Sequence, residues 1–364
     1  MSRDLPSAPD AICILRLSAI GDCCHTLPVV RTLQAAFPNT RISWVIGTIE
    51  HQLLKGADGI EFITFDKKAG LKAITAVRKH FAGSQFPVLL NMNASMRANL
   101  VSAAIPARRR IGFDRARARD FQWAFSNEKI AERDPARPHV LDGLFQFAEH
   151  LGATERVMRW DIPVTPADTE FAAEVTAGSG PTCVISPCSS QRARNFRNWS
   201  VENYVELIRY LQDKHAAQVV LTGATSDIEK HYATEIMAQT DAVTNLVGST
   251  SLKQLFAVIT AADVVICPDS GPAHMATAAG TPIVGLYATS NPVRTGPYID
   301  RDLTVNKYPE AVEIEFGKTV DQVRFGQRVR DPEAMALIKL QDVIAKTDSA
   351  LNRPSRATAG DTED

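Results

Sequence analysis

The sequence predicts an α/β protein made of two Rossmann-like domains that face each other across a cleft. In each half of the chain, short segments rich in branched apolar residues alternate with segments whose apolar residues recur at helical spacing. A segment with two prolines, residues 162–168, separates the two series. Because strand–helix–strand units of this length form parallel sheets through right-handed crossovers, each series predicts a parallel sheet of its own.

The first series starts with a strand at residues 11–17, whose sequence AICILRL is apolar apart from one arginine. A turn at residues 18–22 leads into a helix over about residues 24–37, which Pro38 and Asn39 end. The later elements of this series are strands at 41–46, 59–65 and 87–91 and a helix at 71–81.

The second series has two clear helix starts. Ser200 is a good N-cap for one helix, and Ser251 with Gln254 forms a capping-box pattern before a helix that ends near residue 262. The apolar face of the first helix consists of Val201, Tyr204, Val205, Ile208 and Leu211. The strands of this series are predicted at 182–186, 218–222, 263–267 and 282–287.

The predicted organisation has four parts. An N-terminal domain covers residues 1–165, and a second domain covers residues 166–330. A helix at 331–351 is expected to pack back toward the N-terminal domain. The polar tail, residues 352–364, has the composition of a disordered segment.

Composition and charge indicate an ordinary globular protein. The net charge of −1 gives no global reason to expect nucleic acid as a partner. No apolar run approaches the length of about 18 residues that spans a bilayer, and the polar N-terminus lacks the apolar core of a signal peptide. The six cysteines have no CxxC pair and are expected to be buried reduced thiols, as in a cytoplasmic protein.

Arginines are dense at residues 108–119, and two interpretations stay open. The run is either the solvated face of a helix and loop or a patch for a phosphorylated or acidic partner. The second interpretation rests on the match between guanidinium forks and phosphate geometry.

The strongest local signal is CPDSGPAHMATAAG at residues 267–280, between two predicted strands. A helix should begin near Ser270 or Gly271, with Pro272 in its first turn, where a missing N–H costs little. The free amides of such a helix N-terminus bind anions and suit a diphosphate. Two structural alternatives remain: Asp269 as a helix cap and His274 as a core histidine.

A second signal is the turn SAIGD at the end of the first strand. Asp22 is placed there either as a helix cap or as a general base that takes a proton from an acceptor hydroxyl. The single Gly21 is not a GxGxxG fingerprint, so nicotinamide and flavin binding have little support.

A third signal is PCSS at residues 187–190, followed by basic residues and Trp199. Ser189 and Ser190, with Arg194 and Arg197, form a set that can hold phosphate oxygens through hydrogen bonds and charge. The alternative is an ordinary basic loop.

One DxD pattern occurs, at Asp300 and Asp302, in a loop after Gly-Pro-Tyr. Paired carboxylates of this kind can hold a divalent cation, but the loop composition favours a solvated turn. No metal site is therefore expected at this loop.

Together, the IGD turn, the PxxS turn with a following basic residue and Trp, and DSGPAHMATAAGTPIVGLYATSNPVRTGPY resemble the ADP-heptose:lipopolysaccharide heptosyltransferase family, glycosyltransferase family 9. The resemblance covers about residues 11 to 300. It implies a GT-B fold, an inverting transfer of heptose without metal or other cofactor, and a cytoplasmic protein at the inner face of the inner membrane. The implied partners are the donor ADP-heptose and a lipopolysaccharide inner-core acceptor, either Kdo-lipid A or heptosyl-Kdo-lipid A.

The resemblance also implies roles for individual residues. Asp22 matches the family's catalytic aspartate. Ser270, Gly271 and His274 fall in the loop and helix start that bind the donor diphosphate. Asp269 opens this motif and is expected to contact the donor sugar or its support.

Other positions depart from the family pattern or leave a choice. Arg197 stands where the family usually has lysine, which replaces a point charge by a fork. Cys188 stands where a glycine is expected, and its side chain leaves less room for a phosphate. Glu229 is expected near the ribose, with Asp227 as the alternative.

The acceptor is expected on the N-terminal domain, at Arg97 and Arg109. Three further interpretations stay open: a sugar-nucleotide epimerase of similar two-domain fold, a binding protein without chemistry, and a transferase that uses another nucleotide sugar. The sequence does not say which heptose of the core is added.

Overall fold

The computed structural model describes residues 8–131, 137–189 and 195–353. It divides into two compact units, Met1–Pro163 and Val164–Asp364. This division falls two residues before the predicted one between residues 165 and 166. Each unit contains a parallel six-stranded sheet flanked by helices, which confirms the predicted α/β class with two Rossmann-like series.

The first unit is organised around β1, in which all five residues are buried. The strands are β1 (Ala11–Leu15), β2 (Arg41–Gly47), β3 (Ile60–Phe65), β4 (Phe86–Asn91), β5 (Ala107–Gly112) and β6 (Glu128–Lys129). The helices are α1 (Ile20–Ala36), α2 (Thr48–Leu54), α3 (Leu71–His80), α4 (Met96–Ala104) and α5 (Val140–His150). All neighbouring strands are parallel, in the order β3-β2-β1-β4-β5-β6.

The second unit repeats this plan with a sheet in the order β12-β11-β10-β7-β8-β9. Its strands are β7 (Thr182–Ile185), β8 (Gln218–Leu221), β9 (Val243–Asn245), β10 (Val264–Pro268), β11 (Ile283–Tyr287) and β12 (Val305–Asn306). Its helices are α6 (Pro166–Val175), α7 (Val201–His215), α8 (Asp227–Met237), α9 (Leu252–Ala261), α10 (Gly271–Ala279), α11 (Pro292–Thr295), α12 (Tyr308–Phe316) and α13 (Leu340–Leu351).

Both sheets have a point where the strand order reverses, between β1 and β4 and between β7 and β10. Connections leave such a point toward opposite sides and open a crevice at the carboxyl ends of the strands, which is the usual ligand position in open α/β sheets. Helices α1, α4 and α10 each follow one of these four strands. Their N-termini therefore lie at the reversal points.

Local sequence signals located most of these elements. All eight predicted strands lie within two residues of the observed bounds, and the side chains of Ser200 and Ser251 cap α7 and α9 as predicted. The first helix differs, because α1 begins at Ile20 rather than near residue 24 and includes Asp22 in its first turn.

The basic run also differs from one of its two open interpretations. Residues 107–112 form strand β5 and not the face of a helix and loop. Only Ile111 and Gly112 of this strand are buried, so the sequence ARRRIG has no alternation of apolar residues to indicate a strand. Its position therefore depends on parallel pairing with β4 in the sheet and not on a local sequence pattern.

The predicted C-terminal helix is shorter and belongs to the second unit. A 3-10 turn at Ala334–Leu337 precedes α13, which packs on α7, β10 and β11. Asp348 of α13 accepts hydrogen bonds of 2.7 Å from the Tyr210 hydroxyl, Lys214 and His215. Packing of this helix toward the N-terminal domain stays a prediction. The predicted disordered tail lies outside the described residues from position 354 onward.

The cysteines agree with the prediction from composition. All six cysteines are buried free thiols, as predicted. Burial raises the pKa of Cys24 and of Cys188 to about 12, so neither thiol ionises near neutral pH. Within residues 8–131, 137–189 and 195–353, no helix is long and apolar enough to cross a membrane.

The Asp348 contacts predict a pH-dependent contribution to stability. Burial by itself would raise the pKa of Asp348, but hydrogen bonds from Lys214, Tyr210 and His215 outweigh it and lower the pKa. Because the folded pKa is the lower one, the stabilisation is present above the unfolded value of about 3.9 and is lost as pH falls through the folded value. We expect Asp348→Asn to lower the free energy of unfolding by about 1 kcal/mol at pH 7, and by less at pH 3.

Urea unfolding at both pH values measures this effect. Asp342→Asn is the matched control on the same helix, because its carboxylate lies 3.9 Å from Lys307 at a partly exposed position. An equal loss of stability at both pH values in Asp348→Asn would contradict the electrostatic origin.

Candidate functional site

Asp22 lies in the first turn of α1, just beyond the carboxyl end of β1. Its Oδ2 accepts a hydrogen bond of 3.1 Å from the backbone N–H of Ala19, the N-cap residue of the helix. The guanidinium of Arg16 forms an ion pair with the same oxygen. Arg16 is itself buried and donates to the carbonyl of Met92, just after β4. The Asp22 carboxylate is therefore held from two sides.

The two interpretations of Asp22 from the sequence are compatible. The carboxylate does satisfy a helix-end amide, although from the third helical position, since Ala19 occupies the N-cap. The Asp22 side chain is also 32% exposed, so a bound hydroxyl can reach it. A fixed, accessible carboxylate at the reversal point of a parallel sheet has the geometry required of a general base.

Arg97 lies on the same edge of the first sheet. It is an exposed residue in the first turn of α4, which follows β4, the neighbour of β1. Ser95 caps this helix by accepting a 3.3 Å hydrogen bond from the Ala98 amide, which fixes the turn that carries Arg97. The Arg97 side chain lines a cavity of about 290 Å³ whose other walls are Phe65, Gly70, Leu71, Ile74 and Leu100.

Arg109 is not brought to this edge. It lies within β5, where its guanidinium makes two 2.7 Å hydrogen bonds to the Glu128 carboxylate. Glu128 also lies 2.6 Å from the His150 ring. Hydrogen bonding from Arg109 is the main cause that lowers the pKa of Glu128 to about 2. These contacts give Arg109 a structural partner that the sequence did not indicate.

Other arginines of the basic run also have partners inside the first unit. Arg110 donates to the carbonyls of Ser102 and Ile105 at the end of α4, and Arg117 pairs with Asp114. Cations at a helix C-terminus offset its partial negative charge. Several arginines of this run therefore make structural contacts within the first unit.

In the second unit, the buried carboxylate of Asp269 follows β10 and meets two guanidiniums. Arg197 Nη1 donates to the Asp269 carbonyl at 2.7 Å and to its Oδ2 at 3.1 Å. Arg328 Nη1 donates to the same Oδ2 at 2.7 Å. Burial opposes ionisation of Asp269, but the charges of Arg328 and Arg197 outweigh it and lower the pKa. The interpretation of Asp269 as the helix cap is wrong, because Ser270 occupies the N-cap position of α10.

The N-terminus of α10 follows directly. Ser270 is the N-cap residue and makes no side-chain cap hydrogen bond, Gly271 begins the helix and Pro272 follows, as predicted. A helix start without a side-chain cap leaves its first amides to another acceptor, and its partial positive charge favours an anion. His274 in the first turn is partly exposed and interacts electrostatically with Asp269, so it is not a core histidine.

The turn after β7 is tied to Asp269 through Arg197. Ser189 is buried, its amide donates to Asn198 at 2.9 Å, and its hydroxyl accepts from Asn195 at 2.7 Å. Asn195 in turn accepts from Arg197 Nε at 2.5 Å. Trp199 is fully buried and donates to the Ile338 carbonyl at 3.0 Å, which anchors this loop. Ser190 and Arg194 lie outside the described residues.

Glu229 forms the capping box of α8. Its Oε1 accepts from the Ala224 amide at 2.8 Å, and its Oε2 accepts from the amide and the hydroxyl of Ser226. The carboxylate thus lies at the carboxyl end of β8, next to β7, and shapes the turn there. Asp227, the alternative for the ribose, is exposed at the first position of the helix. Contact of either residue with a ribose stays a prediction.

Arg328 and Asp300 have partners that the local sequence does not indicate. Arg328 lies in a segment with Arg324 and Arg330, and no local pattern distinguishes the one that reaches Asp269. Asp300 is not in a solvated turn: it is fully buried and pairs with Arg353 at 2.8 Å. Only the tertiary partners reveal both roles.

The chain is similar to known proteins along most of its length. Residues 74–323 match the model of glycosyltransferase family 9 (heptosyltransferase). The lipopolysaccharide core heptosyltransferase OpsX of Haemophilus influenzae is 39% identical over 340 residues, covering 93% of this chain and 96% of that protein.

Solved structures show the same fold. A glycosyl transferase family 9 protein from Veillonella parvula has a TM-score of 0.75 and 20% identity, covering 94% of this chain and 97% of that chain. The Escherichia coli heptosyltransferase WaaC with ADP has a TM-score of 0.70 and 18% identity, covering 93% and 99%. These likenesses confirm the predicted GT-B class. With a family model matched over more than half of its length and a 39% identical relative along most of it, the chain belongs to glycosyltransferase family 9, the heptosyltransferase family.

Proposed function

We propose that this chain transfers heptose from ADP-heptose to the inner core of lipopolysaccharide, with Kdo-lipid A or heptosyl-Kdo-lipid A as acceptor. The observation that carries the proposal is the 39% identity to the Haemophilus influenzae lipopolysaccharide core heptosyltransferase, which covers 93% of this chain and therefore both units. An acceptor of this kind carries a lipid, so the enzyme works at a membrane surface, which the family resemblance implies is the cytoplasmic face of the inner membrane.

The second unit supplies the donor site. The first amides of α10 bind the diphosphate, since a helix N-terminus stabilises negative charge. Arg197 adds a guanidinium beside this helix start, 2.7 Å from the Asp269 carbonyl. Charge on the diphosphate grows as ADP departs, so these groups stabilise the transition state more than the ground state. Asp269 acts as support, because its carboxylate holds the guanidinium in place.

The first unit supplies the acceptor site and the base. An acceptor hydroxyl oxygen attacks the anomeric carbon of the heptose, and its proton passes to the Asp22 carboxylate. The bond from this carbon to the diphosphate oxygen breaks, and ADP leaves with the electron pair. A single displacement inverts the anomeric configuration. Arg16 and the Ala19 amide keep the Asp22 carboxylate in one orientation during this transfer.

The first prediction concerns the base. Asp22→Asn retains an oxygen for the Ala19 amide but cannot accept a proton, so we expect kcat to fall by about 10²–10⁴-fold. The measurement is ADP release from ADP-heptose, with and without a Kdo-bearing lipid A acceptor. Wild-type release should depend on the acceptor.

Asp213→Asn, at an exposed position in α7, is the control and should keep wild-type rates. Acceptor-independent release by the wild type would point to an epimerase or a hydrolase instead. Full activity of Asp22→Asn would remove Asp22 from the mechanism.

The second prediction separates two arginines that the sequence analysis grouped together. Arg97→Ala should raise the acceptor KM by about tenfold and leave the donor KM unchanged, because a charge-assisted contact with an acidic sugar or phosphate is lost. Arg109→Ala should instead lower stability by about 1 kcal/mol through loss of the exposed pair with Glu128.

Steady-state kinetics with each substrate varied in turn, together with urea unfolding, distinguish these outcomes. An increase in acceptor KM in Arg109→Ala as large as in Arg97→Ala would show that both arginines contact the acceptor. An unchanged acceptor KM in Arg97→Ala would place the acceptor elsewhere.

A further inference from the structure

Arg328 is fixed in position by its neighbours in the chain. The amide of Val329 donates to the Thr289 carbonyl at 3.1 Å, just beyond β11. The carbonyl of Gln327 accepts a 2.8 Å hydrogen bond from the Tyr308 hydroxyl at the start of α12. The residues on both sides of Arg328 are therefore bound to the second unit, and its side chain starts from a defined place at the carboxyl edge of the sheet.

The guanidinium of Arg328 has donors left for a ligand. Its Nη1 contacts Asp269 Oδ2 at 2.7 Å, and its side chain is 37% exposed, compared with 15% for Arg197. Within the part of the chain that the structure describes, Asp269 is the one carboxylate within ion-pair distance of Arg328. A guanidinium carries five N–H donors, so this contact orients Arg328 and leaves most of its donors for a ligand.

Charge indicates what that ligand is. Arg197 and Arg328 share the single carboxylate of Asp269, next to the partial positive charge at the start of α10. Guanidinium forks match the oxygens of phosphate groups, so a diphosphate suits this pair of guanidiniums and the adjacent helix start in both charge and geometry.

Two buried hydroxyls lie just after β11, at the strand end that the Val329 amide contacts. Thr289 and Ser290 follow β11, the neighbour of β10, and both are 2% exposed. Neither hydroxyl has a hydrogen-bond partner among the described residues. Buried hydroxyls are usually hydrogen-bonded, so an additional polar group beside this edge accounts for them. The Val329 contact places Arg328 directly alongside.

We propose that Arg328 binds the diphosphate of the nucleotide-sugar donor, with Asp269 holding Arg328 and Arg197 as a pair of cations for the departing nucleoside diphosphate. The inference rests on the proposed function for the identity of the donor. It adds a substrate-binding residue from a segment that lies outside the family's DSGPAHMATAAG motif in the sequence.

The test measures binding without chemistry. Isothermal titration gives the Kd of ADP and of adenosine for the full-length wild type, Arg328→Gln and Arg328→Lys. We expect Arg328→Gln to weaken ADP binding by about tenfold and to leave adenosine binding unchanged, because only the diphosphate contact is lost. Arg328→Lys keeps the charge without the fork and should fall between the wild type and Arg328→Gln.

Arg330→Gln is the matched control, since Arg330 is exposed two residues further along the chain. It should keep wild-type affinity for both ligands. Steady-state kinetics should show a raised donor KM in Arg328→Gln, with the acceptor KM unchanged.

Unchanged ADP affinity in Arg328→Gln would overturn the inference while leaving the proposed function in place. An equal loss of ADP and adenosine binding would also overturn it, because this outcome indicates a general collapse of the site. If the wild type binds UDP and not ADP, the proposed donor is wrong, and the ratio of UDP to uridine affinity then decides the role of Arg328 in the same way.

Discussion

The buried carboxylate of Asp269 is the constraint on which the second unit's candidate site depends. An ionised carboxylate away from water is costly unless cations and hydrogen bonds compensate for it. Asp269 obtains this compensation from Arg197, after β7, and from Arg328, after α12. One charge thus joins three segments that are distant in the chain. The same cations lie beside the start of α10, where we propose that a diphosphate binds, so the carboxylate that fixes the loops also positions charge at the proposed anion site.

The first unit uses a comparable arrangement with a simpler charge balance. Arg16 pairs with Asp22 and donates to the Met92 carbonyl, which connects the strand ends on either side of the reversal point. The two sheets have equivalent strand orders, and parallel strands bring their carboxyl ends to one edge. Asp22 follows β1, the first strand of its sheet, and Asp269 follows β10, the fourth strand of the other sheet. Each carboxylate therefore lies at the carboxyl edge of its own sheet.

Helix capping and candidate chemistry involve the same atoms at two positions. The carboxylates of Asp22 and Glu229 each accept hydrogen bonds from amides at a helix start. Such bonds fix a side chain at low cost, because the amides would otherwise lack partners. For Asp22 and Glu229, helix capping and a role at the site therefore do not exclude each other. Arg109 shows the opposite situation, since its bidentate contact with Glu128 occupies the fork that an acceptor would need.

The sequence by itself determined the α/β class, the eight predicted strands, the caps at Ser200 and Ser251, and the start of α10 at Ser270 and Gly271. These features depend on neighbouring residues, whose periodicity and capping preferences are written locally in the chain. The resemblance of the DSGPAHMATAAG segment also indicated the family.

Only the tertiary structure decided which arginine reaches Asp269, that Arg109 faces Glu128, that Asp300 is buried, and that α13 packs on the second unit. The ion pairs join residues 19 to 59 positions apart in the chain, and the place of α13 depends on packing between elements. The residues next to a charged side chain do not indicate which distant group will neutralise it.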